Sequence, residues 1–193
     1  MKENLIEEES LILVNKDNKI PNDYKPQLVD FEGYKIDKMC YSCLQEMMKD
    51  CRADGGYPCI TSIYRSHEEQ KEIFYQAVDA FMKELKIERK IAIAVTSWFC
   101  AFPGTSEHEL GLAVDISLSP DIKTNDSSFT FKWLEENSWK YGFILRYPKD
   151  KEDITKIKHE PWHYRFVGKK HSKQIHESGL SLEEYINNKY PPA

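Results

Sequence analysis

The chain of 193 residues predicts an α+β fold, and three observations lead to that class. Apolar residues at helical spacing occupy two segments in its first half. Short runs with the alternation of β-strands follow, most of them in the second half. Helices precede and separate these runs, and the last strands have the spacing of hairpin-type pairs. Because domains of about 100–200 residues are usual, we expect one small domain over residues 1–193.

The first thirty residues are expected to form an irregular segment. Leu11–Val14 has the composition of a short strand, and turn-forming residues follow it at Asn18, Pro21, Asn22 and Pro26. Turn chemistry of this density interrupts any longer regular element. We therefore place the main elements after residue 30.

Two helices are predicted next. Apolar residues recur at helical spacing over Asp37–Lys49, until Gly55–Pro58 ends the pattern. A second helix follows Ser66, because Ser66 and Glu69 form a capping-box signature. Over Ile73–Leu85 its apolar residues trace one face, which we expect to pack on the core.

The remaining elements are shorter. Their composition and alternation predict strands at Cys59–Tyr64, Leu112–Leu118, Phe143–Tyr147 and Trp162–Val167. Further helices are predicted at Phe131–Lys140 and at Leu182–Asn187, the latter after a second capping-box signature. The segment Ile91–Val95 fits either a short strand or the end of a helix.

Composition limits the class of protein. Hydrophobic residues make up 40% of the chain and charged residues 31%, which is typical of a folded globular protein. The net charge of -5 and the lack of an interleaved basic and aromatic pattern argue against nucleic acid as a partner. No apolar run approaches the roughly 20 residues of a membrane-spanning helix, so we expect no stable membrane anchor.

Two features bear on the cellular location. The start of the chain is acidic and polar, without the basic and apolar regions of a signal peptide. The five cysteines are an odd number, which fits poorly with a closed set of disulfides. Both features favour a cytoplasmic protein; the alternative is an exported or anchored protein whose leader has been trimmed from the sequence.

The stretch from Ser106 to Asp115 contains the first candidate site residues. His108 lies in a turn ahead of a predicted strand, and Asp115 lies on that strand, opposite its large aliphatic side chains. A carboxylate among apolar neighbours is costly to bury alone, so it needs a cation or strong donors. A metal ion would meet that need, although an exposed position on an edge strand would also explain Asp115.

Glu160 and His163 are the second pair of candidates. Pro161 keeps Glu160 extended, so the pair cannot share one continuous helix as in the helical metalloprotease box. A turn that leads into the strand Trp162–Val167 would bring their side chains together instead. This pair and the first stretch are therefore considered as one site.

Zinc is the cofactor that suits these side chains. Catalytic zinc takes three ligands from His, Asp or Glu and keeps a fourth position for water or substrate. His108, Asp115 and His163 would supply that set. Bound zinc brings the pKa of water towards about 7, and a carboxylate that does not bind the metal can then take its proton. Glu160 is the candidate for this base.

Three motifs in this order resemble the signature of a known enzyme family. Ser106-x-His108-x-x-Gly111-x-Ala113-x-Asp115 is followed by Glu160-x-Trp162-His163, and Tyr64-Arg65-Ser66-x-x-x-x-Gln70 precedes both. They are similar to the motifs of the D-alanyl-D-alanine zinc metallopeptidases of the vancomycin-resistance VanY/VanX type. The pattern looks closest to the soluble, bifunctional VanXY D,D-dipeptidases and D,D-carboxypeptidases. The resemblance covers about residues 55–186, where we expect the catalytic core.

The resemblance implies a role for each matched residue. His108, Asp115 and His163 would bind Zn²⁺, and Glu160 would be the catalytic base. Arg65 falls on the family's arginine, which stabilises the oxyanion formed from the scissile carbonyl. Four further residues would hold the substrate: Ser106, Gln70, Ser62 and Trp162. Of these, Ser106 would lie near the terminal carboxylate of the substrate. The family fold is a small α+β domain with a central antiparallel sheet flanked by helices.

Ser62 departs from the pattern of family members built for the free dipeptide. Those members tend to carry an acidic residue at this position, three before the arginine, where it can pair with the substrate's ammonium group. A neutral serine should tolerate longer substrates, so we expect D,D-carboxypeptidase activity at least comparable with D,D-dipeptidase activity. The expected partners are small peptides ending in D-Ala-D-Ala, the peptidoglycan precursors that are cleaved in vancomycin resistance.

Two other functions remain open. A related cell-wall L-alanyl-D-glutamate endopeptidase would share the metal site, and the lack of an attached wall-binding domain weighs against it. A non-catalytic zinc-binding module would keep the fold without the reaction. The presence of both Glu160 and Arg65 weighs against a module, since it needs neither a base nor an oxyanion donor.

Overall fold

The computed structural model describes residues 9–119 and 128–191. Its strands are β1 (Leu28–Phe31), β2 (Tyr34–Asp37), β3 (Cys59–Ser62), β4 (Ala113–Ser117), β5 (Phe143–Leu145) and β6 (His163–Phe166). The α-helices within these ranges are α1 (Tyr41–Ala53), α2 (His67–Leu85), α3 (Arg89–Thr96), α4 (Phe129–Asn137), α5 (Glu152–Thr155), α6 (Lys169–Ser178) and α7 (Leu182–Lys189). Short 3₁₀ turns lie at Glu107–Leu110, Ser138–Tyr141 and Lys149–Lys151.

The main sheet has four antiparallel strands in the order β3–β4–β6–β5. Strands β4 and β6 pair so that Ala113 is opposite Arg165 and Asp115 is opposite His163. On its other side β4 pairs with β3, where Ser62 comes opposite Asp115 after a register shift. The predicted α+β fold with a central antiparallel sheet is therefore confirmed.

Strand β4 is buried on both faces. Val114 and Ile116 belong to the main hydrophobic core, together with Leu44 and Met47 of α1. Burial of one such side chain stabilises the fold by roughly 1.5–3 kcal/mol. Because side chains alternate along a strand, Asp115 lies on the other face, and it is only 8% exposed. The interpretation of Asp115 as an exposed residue of an edge strand is therefore wrong.

Both capping-box predictions are confirmed. The hydroxyl of Ser66 accepts a hydrogen bond from the backbone N–H of Glu69 at 3.3 Å, and the Glu69 carboxylate accepts one from the Ser66 N–H at 2.7 Å. Ser181 and Glu184 repeat this arrangement at the start of α7.

Among the residues that the structure describes, no helix has both the length and the apolar character needed to cross a membrane.

Two predictions near the start of the chain are wrong. Leu11–Val14 is not a strand, because the carbonyls of Ser10 and Ile12 accept hydrogen bonds from Arg165 at 2.9 Å each, not from a neighbouring strand. The irregular segment also ends before residue 30, since β1 pairs with β2 in a separate two-stranded sheet. The open choice at Ile91–Val95 falls to helix, within α3.

A buried charge cluster, formed by Glu107, Arg146, Arg165 and Glu183, joins the sheet to α7. Oε1 of Glu107 accepts hydrogen bonds from Arg146 Nε at 2.7 Å and from Arg165 Nη1 at 2.9 Å. Arg146 also donates to both carboxylate oxygens of Glu183, at 2.8 and 2.6 Å. Since these side chains have almost no contact with solvent, each charge depends on its partners for stabilisation.

We predict that Arg146→Met lowers the free energy of unfolding by roughly 3–5 kcal/mol, because it removes the guanidinium group that donates two hydrogen bonds to the buried carboxylate of Glu183. Urea denaturation followed by circular dichroism measures the change. Arg52→Met is the matched control, since Arg52 makes a similar two-point contact with Glu32, at 3.2 and 3.3 Å, on the surface. The control should lose less than about 1 kcal/mol. Equal losses in the two variants would contradict the prediction.

Candidate metal centre and active site

Three side chains that could hold a metal ion meet beside strands β4 and β6. Donor atoms of His108, Asp115 and His163 all lie within 4.8 Å of one another, and the three residues are buried. Asp115 and His163 form a cross-strand pair, so the register of the two strands sets their separation. His108 comes from the 3₁₀ turn Glu107–Leu110, which precedes β4.

A glycine connects this turn to β4. Gly111 has a φ of 72°, in the left-handed region that favours glycine. Its carbonyl accepts a hydrogen bond from the backbone N–H of Asp37 at 3.0 Å, and a Cβ on Gly111 would lie 3.1 Å from the same nitrogen. The glycine therefore lets the chain reverse between His108 and Asp115 while β2 packs closely against it.

Hydrogen bonds orient both imidazole rings towards Asp115. Nδ1 of His108 lies 2.6 Å from the carbonyl oxygen of Ile63, which can only accept, so Nδ1 donates and Nε2 carries the lone pair. That Nε2 faces Oδ1 of Asp115 at 3.2 Å. His163 is turned the other way, with Nδ1 at 3.0 Å from the same Oδ1 and Nε2 at 3.3 Å from Glu107. Two ring nitrogens and a carboxylate oxygen thus converge on one position.

The charges of the protein make this position attractive to a cation. Burial lowers the pKa of His163, but its hydrogen bonds to Asp115 and Glu107 outweigh that effect and raise the pKa to about 9. Burial likewise opposes ionisation of Asp115, yet the two histidines hold its pKa well below the usual range. Burial lowers the pKa of His108, which suits a neutral ligand. A site that stabilises positive charge and offers two imidazoles and a carboxylate fits zinc.

Glu160 lies next to the three candidate ligands without belonging to them. Its backbone N–H donates to the carbonyl of Tyr147 and its carbonyl accepts from the N–H of His163, both at 3.2 Å. The carboxylate is 3.8 Å from Nδ1 of His163, and the side chain is 12% exposed. Burial, reinforced by the charge of Asp115, raises the pKa of Glu160 to about 8. A carboxyl group with a pKa near neutrality can both accept and release a proton.

Three hydrogen bonds hold Arg65 at the same site. Nε donates to Ser62 Oγ at 2.9 Å, Nη1 to Gln70 Oε1 at 3.2 Å and Nη2 to Asp115 Oδ2 at 3.0 Å. Gln70 is fully buried and is anchored by its own bond to the carbonyl of Ala101 at 2.8 Å. Within the described residues, two of the five guanidinium N–H groups remain for a substrate. Ser62 and Gln70 thus support Arg65, and their contact with a substrate stays a prediction.

One cavity of about 310 Å³ brings together all nine of the site residues predicted from the sequence. They are Ser62, Arg65, Gln70, Ser106, His108, Asp115, Glu160, Trp162 and His163. The lining also has an apolar part, where the large side chains of Ile73 and Phe99 are 40% and 51% exposed. The roles of Ser106 and Trp162 towards a substrate remain predictions.

Sequence reasoning missed Glu107, although it directly precedes His108. Burial alone would raise the pKa of Glu107, but Arg146 and Arg165 hold it far below the usual range. The alternation of the predicted strand Trp162–Val167 could have revealed this carboxylate. It places Arg165 on one face of a buried strand, and a buried guanidinium requires an acidic partner.

Comparison with known proteins agrees with this geometry. The family model VanY, described as D-alanyl-D-alanine carboxypeptidase, matches residues 33–169. The D-alanyl-D-alanine carboxypeptidase of Enterococcus faecalis is 43% identical over 94% of this chain and 67% of the relative. The bifunctional D-Ala-D-Ala dipeptidase and carboxypeptidase VanXYC of Enterococcus gallinarum is 36% identical over 71% of this chain and 66% of the relative. The chain thus spans about two thirds of the length of these relatives.

Solved structures share both the fold and the sequence. A vancomycin-resistance D,D-pentapeptidase VanY in complex with Zn(II) is 44% identical with a TM-score of 0.85, over 92% of this chain and 99% of that one. VanYB in complex with D-Ala-D-Ala is 44% identical with a TM-score of 0.87, over 93% and 98%. The LdcB LD-carboxypeptidase is 40% identical with a TM-score of 0.78, over 94% and 87%. Together with the family match, these similarities show that the chain belongs to the VanY family of D-alanyl-D-alanine carboxypeptidases.

Proposed function

We propose that the chain is a zinc-dependent D,D-carboxypeptidase, which removes the last residue from peptidoglycan precursors ending in D-Ala-D-Ala, as in vancomycin resistance. The observation that carries this proposal is the meeting of three potential zinc ligands with Glu160 and Arg65 around one cavity. Two relatives support the cofactor and the substrate class, since one holds Zn(II) and the other binds D-Ala-D-Ala.

The zinc ion would be held by His108, Asp115 and His163. Zinc supplies a Lewis acid and makes water reactive at neutral pH. The three ligands are buried, and the contacts described above fix their direction before any metal binds. The protein therefore contributes a preformed set of donors, open on the side of the cavity.

Glu160 would transfer the protons of the reaction. As the general base it accepts a proton from the attacking water, and the new C–O bond forms at the scissile carbonyl carbon. It then delivers this proton to the nitrogen of the terminal D-Ala, so that the C–N bond breaks with a neutral amine as the leaving group. The position of Glu160 supports this role, because its carboxylate lines the cavity and lies 3.8 Å from Nδ1 of the proposed ligand His163.

Arg65 would stabilise the negative charge that develops on the scissile carbonyl oxygen. Ser62, Gln70 and Asp115 hold the guanidinium in place before a substrate binds. A donor that is already positioned needs little reorganisation when the charge develops, and the loss of one such donor commonly costs about 10²–10³-fold in rate.

A second candidate is L,D-carboxypeptidase activity, because the LdcB LD-carboxypeptidase is 40% identical over 94% of this chain. Removal of a terminal D-residue from an L-residue would use the same base, oxyanion donor and metal ligands. These residues therefore do not distinguish the two activities, and the substrate must. A non-catalytic module is disfavoured, since it would need neither Glu160 as a base nor Arg65 as an oxyanion donor, and both line the cavity.

Longer peptides are proposed to be hydrolysed at least as well as the free dipeptide. The dipeptide carries an ammonium group, and Ser62 offers it no negative charge because a hydroxyl group is neutral. This hydroxyl also accepts a hydrogen bond from Arg65. The exposed apolar side chains of Ile73 and Phe99 instead offer a surface for the aliphatic part of a longer substrate.

We predict that the protein releases D-Ala from a pentapeptide ending in D-Ala-D-Ala at a rate at least comparable with that from free D-Ala-D-Ala. Ser62→Asp should shift the ratio of kcat/KM values towards the dipeptide by roughly tenfold or more, because hydrogen bonds to charged groups contribute about 1.5–3 kcal/mol. Ser62→Asn, similar in size but neutral, is the control. Exclusive cleavage of the dipeptide by the unmodified protein would contradict the prediction. Cleavage of a tetrapeptide ending in L-Lys-D-Ala, without cleavage of the pentapeptide or the dipeptide, would instead assign L,D-carboxypeptidase activity to the chain.

Glu160→Gln is expected to lower kcat by about 10²–10⁴-fold while one equivalent of zinc stays bound, because the amide cannot accept the proton from water. Steady-state release of D-Ala and atomic absorption measure the two quantities. Glu177→Gln, an exposed residue of α6, is the matched control and should leave both unchanged. A Glu160→Gln enzyme that kept more than about a tenth of the wild-type kcat would refute the role of Glu160.

Removal of the metal should abolish turnover and leave a folded protein. We expect dialysis against a chelator to remove one equivalent of zinc and the activity together, and zinc to restore both. His108→Ala should bind far less than one equivalent, whereas the exposed His176→Ala should bind zinc normally. Activity that survives complete chelation would rule out a metal-dependent mechanism.

A further inference from the structure

Glu107 contacts a proposed metal ligand on one side and two buried arginines on the other. From this arrangement we infer that Glu107 is a positioning residue of the zinc site, which holds His163 with Nδ1 directed at the metal. The inference rests on the proposed function for the presence of zinc. It extends the site to a residue outside the three candidate metal ligands.

His163 has a polar contact at each ring nitrogen. Nδ1 lies 3.0 Å from Oδ1 of Asp115, where the donor atoms of the site converge, and Nε2 lies 3.3 Å from Oε2 of Glu107. The ring also packs against Tyr147 and His108, with a centroid distance of 4.9 Å in each case. A flip of the ring about Cβ–Cγ would put Cδ2 in the place of Nδ1 and Cε1 in the place of Nε2, and would lose the contacts with both Asp115 and Glu107.

Glu107 can only accept a hydrogen bond in this position. Its Oε1 already accepts from Arg146 and Arg165, at 2.7 and 2.9 Å, which leaves Oε2 for His163. Two guanidinium groups keep the carboxylate ionised, so it has no proton to donate. The hydrogen bond therefore requires the proton on Nε2 of His163, and the lone pair on Nδ1 is left for the metal.

The carboxylate is also rigid, because its partners are held by other elements. Arg146 follows β5 and is bound at two points by Glu183 of α7. Arg165 lies on β6, and one of its terminal nitrogens donates to two backbone carbonyls of the N-terminal segment. The side chain of Glu107 is itself inaccessible to solvent, so water does not compete for its oxygens. A fixed carboxylate of this kind orients a ligating imidazole and strengthens it as a donor.

The competing explanation is that Glu107 only balances the charge of two buried arginines. The substitution Glu107→Gln separates the two explanations, since the amide has one oxygen and one NH₂ group. The arginines, which only donate, would take the oxygen. The NH₂ group would then face His163 and favour a lone pair on Nε2, which moves the proton to Nδ1, where the metal should bind.

We expect Glu107→Gln to weaken zinc binding by about 10–100-fold, measured on the metal-free protein by competition with a chromogenic chelator. Glu183→Gln is the matched control, because it places the same amide in the same charge cluster, against Arg146 and away from His163. Thermal unfolding of both variants reports the general damage to the cluster. Wild-type zinc affinity in Glu107→Gln, or an equal loss in Glu183→Gln, would overturn the inference.

A measurement on the unmodified protein covers the case in which Glu107→Gln does not fold. Nitrogen-15 NMR of the histidines in the zinc-loaded protein should show His163 with a proton on Nε2 and the metal on Nδ1. Metal on Nε2 would overturn the inference. Neither experiment uses a substrate, so a failure of the proposed peptidase activity would be seen separately in the release of D-Ala.

Discussion

Away from solvent, the carboxylate of Glu107 lies between two guanidinium groups and an imidazole, and much of the structure is arranged around these contacts. Ionised groups are costly to bury, and the cost is offset only when every one has a well-placed partner. Arg146 and Arg165 meet that condition through Glu107, Glu183 and backbone carbonyls. Strands β5 and β6, the turn before β4 and helix α7 are thereby held in one arrangement. The position of His163 follows from that arrangement, because its Nε2 contacts the carboxylate of Glu107.

Side-chain alternation along β4 directs some residues to the hydrophobic core and another to the active-site cavity. Val114 and Ile116 pack into the hydrophobic core, and Asp115 between them points to the cavity. The ends of the two neighbouring strands position the other side chains of the site. Strand β3 ends shortly before Arg65, and β6 begins at His163, shortly after Glu160. A rigid sheet thus fixes the spacing of groups that come from irregular segments, which is how strain-free scaffolds hold reactive side chains.

The parts of the fold that follow local rules were predictable from the sequence. Ser66 and Glu69 identify the start of α2, because a capping box depends only on neighbouring residues. The hairpin of β1 and β2 was missed, since its strands have four residues each and its turn, at Glu32 and Gly33, lacks the usual Asn-Gly signal. Leu11–Val14 was misassigned because the carbonyls of Ser10 and Ile12 accept hydrogen bonds from Arg165, which is more than 150 residues away in the sequence. No local pattern contains such information.

The same limit applied to the site. His108, Asp115 and His163 could be proposed as ligands, and Glu160 as the base, from residue type and spacing, and the family resemblance added Arg65. Their convergence on one cavity depends on the register in which β4 pairs with β6, and this register cannot be predicted from the sequence pattern. The charge cluster behind His163 consists of contacts between distant segments, such as those of Glu107 with Arg165 and of Arg146 with Glu183. They become visible only when the chain is folded.

The contact of Arg165 with the carbonyls of Ser10 and Ile12 has a consequence for the order of assembly during synthesis. The hydrogen bond to Ser10 spans 155 residues, and Arg146 depends on Glu183, which is translated later still. Contacts between such distant segments form slowly, because long loops must close before the contacts can stabilise them. The early helices α1 and α2 can therefore form on the ribosome long before the metal pocket exists. The set of metal ligands is therefore complete only after His163 has been synthesised, and the charge cluster behind it only after Glu183.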